Sequence, residues 1–159
     1  MNNELIVMTF RYPDKADTVL AAIRAMRKSP ILCLSSVVVA DRKRAGEVTV
    51  RPGQEPDTAQ EDRDTQLLLV LAELILRAPA PDAINALIDR GMDGRFISEI
   101  VKNMEGESSA LFVLARENSV HNAEETHHTL ALFRGRIHQT SLPPEVEAYL
   151  SEREMNTSP

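Results

Sequence analysis

The chain has no tryptophan, one cysteine and six glycines in 159 residues, and aromatic side chains make up only 4% of it. Each scarcity excludes something. With so few rings, a packed interior has to be aliphatic. Cys33, the single cysteine, cannot form an intrachain disulfide, so nothing calls for an oxidising compartment and the cytoplasm is expected. No glycine-rich phosphate loop occurs, and no G-x-S-x-G elbow surrounds Ser35, Ser36, Ser108 or Ser109. Positive charge is in deficit: 18 Lys and Arg against 24 Asp and Glu leave a net charge of -6, a field that repels phosphate backbones and makes nucleic acid a poor partner. The one basic run, Arg42 to Arg44, reads as decoration of a turn. The first residues, MNNELIVMTFRYPDK, have no basic leader and do not read as a signal peptide.

What is present fits one globular domain: 43% hydrophobic and 26% charged residues, in a chain long enough to bury about two thirds of its unfolded surface. Leu5 to Phe10 is apolar without alternation, the pattern of a strand covered on both faces. Asp14 to Lys28 repeats Val19, Leu20, Ile23 and Met26 at helical spacing. Leu34 to Ala40 and Glu47 to Val50 read as a hairpin, the second strand alternating like an edge. This order predicts a parallel first pair joined by a right-handed crossover, then an antiparallel return.

Residues 51–64 hold two prolines, five acids and no large apolar side chain, and read as a mobile loop. Thr65 to Leu76 is then apolar nearly all round, interrupted only by Glu73. Twelve helical residues rise about 18 Å against roughly 30 Å of hydrocarbon, so this helix belongs inside a fold or between subunits rather than across a bilayer. Pro79 and Pro81 break it, and a short helix through Ile84, Leu87 and Ile88 closes at Gly91, making residues 65–90 an inserted helical hairpin. Asp93 to Met104 is an amphipathic helix with Asp93 as N-cap, so the GMDG turn is filled by its own carboxylate rather than by a bound anion. Ala110 to Ala115 is a second continuous apolar strand, expected beside the first. A helix from about Val120 to Phe133, a strand Arg136 to Thr140, a short proline-led helix and a frayed tail, 154–159, complete the chain.

Three phrases, ELIVMTF, GMDGRFISEIVKNMEGESSALFVLA and RGRIHQTSLPPEVEAYL, make the chain resemble a prokaryotic family called domain of unknown function 1269, whose members are often labelled membrane proteins. The matching motif is a helix, a glycine turn at Gly106 and a strand from Ser109 to Leu114. The resemblance covers most of the chain outside residues 51–90. It implies an α+β fold with a ferredoxin-like sheet of four to five mostly antiparallel strands and helices packed on one face. It implies no activity and no catalytic residues. Family members tend to carry a glycine-rich apolar hairpin where this chain has its leucine-rich helix.

Chemistry-bearing residues gather in one place. On a helix from Val120, residues His121, Glu124, Glu125 and His128 share a face. His121 and His128 are about 10.5 Å apart along the axis, whereas the ligands of one zinc all lie about 2 Å from the ion. A pair such as His121 with Glu125 would therefore need ligands from elsewhere, and His138 is the remaining histidine. His121, Glu125, His128 and His138 are the candidate metal ligands, weighed against a plainer solvated helix face. His127 reads as partly buried near the apolar stripe, and Cys33 as a small buried hydrophobe.

The functional expectation is a non-enzymatic α+β module, without a cofactor, acting by self-association through the helix at 65–76 or by binding a partner. The alternatives are a small-molecule or metal-binding protein using the His and Glu face, and peripheral membrane contact through the leucine-rich helix.

Overall fold

A computed structural model describes residues 3–25, 36–44, 46–53, 58–76, 81–116 and 123–157. Five strands, β1 (Asn3–Phe10), β2 (Val37–Arg42), β3 (Val48–Pro52), β4 (Ser108–Ala115) and β5 (Arg136–Leu142), form one sheet in the order β3-β2-β4-β1-β5. Every neighbouring pair is antiparallel. The fold class is α+β. The strands read as interior, β1, β2 and β4, occupy the three central positions, and the alternating β3 lies at an edge. β4 does lie beside β1, with Val7 opposite Phe112. The expected parallel pair of β1 and β2 does not form as neighbours. β4, buried at all eight residues, is inserted between them, because a strand apolar on both faces is best placed in the middle of the sheet.

The helices are α1 (Lys15–Ala25), α2 (Ala59–Leu76), α3 (Pro81–Asp89), α4 (Gly94–Asn103), α5 (Ala123–Leu130) and α6 (Pro144–Thr157). They cover both faces of the sheet, which corrects the expectation of helices on one. Alternate residues of the central strands point opposite ways. Leu5, Val7, Val38 and Phe112 pack under α2, α3, α4 and α6, while Ile6, Met8, Val39 and Leu111 pack under α1 and α5. Two apolar faces need two covers.

The leucine-rich segment is the largest of these covers. Leu68, Leu71 and Ile75 are at most 1% exposed, each burial contributing about 1.5–3 kcal/mol relative to an exposed side chain. Leu69 and Val70 are half-buried against the same core, and Glu73 faces solvent. No helix among the described residues is long and apolar enough to cross a membrane.

The supposed loop at 51–64 is mostly secondary structure. Arg51 and Pro52 pair in β3, and α2 begins at Ala59, where Thr58 Oγ1 accepts the Glu61 amide at 3.1 Å. The acidic first turns suit a helix N-terminus, and Asp64 is buried against an arginine, so apolar periodicity could not reveal them. Residues 65–90, expected as a helical hairpin, hold the rest of α2 and, from Pro81, α3, with residues 77–80 between them outside the described residues. At the other end of the chain, α6 runs to Thr157, and the last two residues of the expected tail, 158–159, lie outside the described residues. Asp93 caps α4 as expected, accepting the Arg95 amide at 2.9 Å.

The basic run departs from decoration at its first member. Lys43 and Arg44 are exposed, but the Arg42 guanidinium reaches the Met104 carbonyl at 2.6 Å and the Leu76 carbonyl at 3.2 Å. It therefore places one positive charge at the C-terminal ends of both α4 and α2, where unpaired carbonyls and the helix dipoles favour a cation.

Candidate functional site

β1 ends at Phe10, and the chain continues through Arg11 and Tyr12 into Lys15, the first residue of α1. The opposing wall is the turn Arg134-Gly135 leading into Arg136, the first residue of β5, which the register sets opposite Thr9. Asn103, the last residue of α4, completes the rim of a cleft of about 500 Å³. Gly135 is required where it stands. A Cβ there would meet the Phe10 ring at 2.7 Å and the Met8 methyl at 2.9 Å, so only glycine lets the turn lie this close to the cleft floor.

Four cations, Arg11, Lys15, Arg134 and Arg136, line the cleft, and no acid among the described residues does. None of the four makes an ion pair among the described residues. Phe10 is 3% exposed and forms the floor, whereas Tyr12, at 69%, offers its ring at the rim.

Behind the cleft wall lies His138, 7% exposed. Its Nε2 lies 3.3 Å from Thr9 Oγ1 and its Nδ1 lies 3.5 Å from a carboxylate oxygen of Glu99 on α4. Burial pushes the imidazole below its ordinary pKa and Arg136 adds to this, while Glu99 opposes it. Hydroxyl, imidazole and carboxylate in this order resemble a nucleophile with its base and orienting group. Thr9 pairs with Ala110 on one side and Arg136 on the other, in the middle of the sheet. It is 4% exposed and borders the cleft at its inner end.

Of the four candidate metal ligands, the structure places the side chains of two, His128 and His138, and these lie apart. His138 lies on the sheet face covered by α4, while His128 is exposed on α5, on the opposite face. Glu125 belongs to α5, and His121 and Cys33 lie outside the described residues. No group of three or more His, Cys, Asp or Glu able to hold a metal occurs among the described residues. His127, expected to be partly buried, is exposed, with Nδ1 3.2 Å from Gln139 Oε1.

Two other charged clusters are internally matched. Arg116 follows β4 and bridges Asp64 at 2.5 Å and Glu147 at 2.6 Å, tying α2 to α6 beside a smaller cavity of about 360 Å³. Asp41 accepts from Thr49 and Arg51, and Arg51 also pairs with Asp17, tying the β3 edge to α1.

The basic cleft was hidden from sequence reasoning because its two walls come from opposite ends of the chain. The available signal was an Arg-Gly-Arg phrase before one strand and Arg11, Tyr12 and Lys15 after another. Comparison with protein-family models, curated proteins and solved structures finds no match.

Proposed function

We propose that the protein is a non-enzymatic binding module that takes a negatively charged small ligand in the cleft between the β1–α1 junction and the start of β5. The observation that carries this reading is four cations lining one cleft with no acid among the described residues to neutralise them. A volume of about 500 Å³ is in the range of small-molecule sites. Inorganic diphosphate is a suitable probe. In a heteronuclear NMR titration the amide signals of Arg11, Tyr12, Gly135 and Arg136 should move saturably, and the Arg134→Ala, Arg136→Ala double variant should move the midpoint of the titration to much higher diphosphate concentration. Scattered, non-saturating shifts would remove the reading.

Self-association is the second reading. α2 turns most of its apolar side chains inward, and the exposed large apolar side chains among the described residues are Tyr12 and Leu132, each at 69%, and Ile88 at 40%. A sedimentation mass that rises with concentration in the wild type and not in the Leu132→Ser variant would favour it. The same inward packing weakens membrane contact through α2. The cytoplasm remains the proposed compartment, on the single cysteine, and membership of the domain 1269 family remains a proposal resting on the three phrases quoted above.

A further inference from the structure

We infer that the ligand of the cleft is a nucleoside phosphate, with its base stacked on Tyr12 and its phosphates held by the arginines of the two walls. The inference rests on the binding-module reading and names its ligand class. A bare inorganic anion fits the charge but not the space, since a cleft of about 500 Å³ holds far more than one tetrahedral group. Four cations match two phosphate groups better than one carboxylate, and three of them are arginines, whose planar forks suit phosphate oxygens.

The non-ionic part of the ligand is read from the rest of the lining. Tyr12 is the most exposed aromatic ring among the described residues, in a chain that otherwise buries its aromatic side chains fully or in part. An exposed ring beside a basic groove is the arrangement on which nucleobases stack. Asn103 uses its amide nitrogen on the Glu99 carbonyl at 2.7 Å, which leaves its amide oxygen to accept from an exocyclic amine. The absence of a glycine-rich phosphate loop means that side chains, rather than a row of backbone amides, would hold the phosphates.

Three probes separate the parts of this assignment: ADP, inorganic diphosphate and adenosine, titrated against the full chain by NMR or calorimetry. ADP should bind roughly tenfold or more tightly than diphosphate, the worth of one base–aromatic stack. Adenosine should bind far more weakly than either. Tyr12→Ala should bring ADP down to the affinity of diphosphate without changing diphosphate itself, and exposed Tyr12 can be removed without endangering the fold. Arg134→Ala with Arg136→Ala should weaken both phosphates. Equal affinity for ADP and diphosphate overturns the nucleoside assignment and leaves the anion cleft standing. Adenosine binding as well as ADP overturns the phosphate half. If neither phosphate binds, the cleft reading fails, and this inference with it.

Discussion

The two ends of the sheet treat arginine in opposite ways. At the β4 C-terminal end, Arg116 is clamped between Asp64 and Glu147, and Asp64 is only 2% exposed. At the β1 C-terminal end, Arg11, Arg134 and Arg136 have no acidic partner among the described residues and border a cleft. The first arrangement is closed: a buried charge is tolerable only when its partner and hydrogen bonds are supplied by the same chain. The second is open, and its unpaired charge is available to something that is not part of the protein. Composition alone does not distinguish them, since the residue type is the same.

The largest expected effect comes from breaking the closed end. Arg116→Ala leaves the Asp64 carboxylate buried without its partner and should destabilise the fold by about 3–5 kcal/mol, read from urea unfolding. If Asp64→Leu is added and part of that loss returns, the penalty belonged to the stranded charge; no recovery would mean that Arg116 acts mainly by packing. The open end should answer differently. Arg134→Ala with Arg136→Ala should change stability by no more than about 0.5 kcal/mol, as surface substitutions do. It should still weaken diphosphate binding by roughly a hundredfold, taking about 1.5 kcal/mol for each lost charged hydrogen bond. A large stability loss in that variant would erase the contrast.

The smallest effect belongs to His138, which sits between structure and cleft. Its folded pKa lies below the unfolded value near 6.5, so the unfolded chain binds more protons in the interval between the two. Its contribution is complete above the unfolded pKa and is lost as pH falls through the folded one. Unfolding free energies measured from pH 7.5 downward should therefore decline in this range, and His138→Gln should flatten that part of the curve. An unchanged slope in the variant would assign the decline to other groups.

Much of the fold was legible, for a definite reason. Leu5 to Phe10 and Ala110 to Ala115 carry no polar alternation, and Val48 and Val50 do alternate, so interior and edge strands could be told apart. The same unbroken apolarity implies two covered faces, which the four-helix layer and the α1–α5 layer supply. The first turns of α2 were missed because Asp64 satisfies itself through Arg116, a partner far along the chain. The polar site was legible only in part. His138 stood out as a histidine, but Thr9 and Glu99 become its neighbours through strand register and helix packing. Grouping histidines by helical spacing could not show that His138 lies on the opposite face of the sheet from His128.

Arg42 bears on the kinetics of folding. Its bonds to the ends of α2 and α4 span 34 and 62 residues of chain, so they close large loops and are expected to form after the local helices and the β2–β3 turn. An interaction absent from the transition state acts on the escape from the native state rather than on its formation. Arg42→Ala should accordingly hasten unfolding while leaving the refolding limb of a chevron nearly unmoved, which would make this one guanidinium a determinant of how long the native molecule lasts.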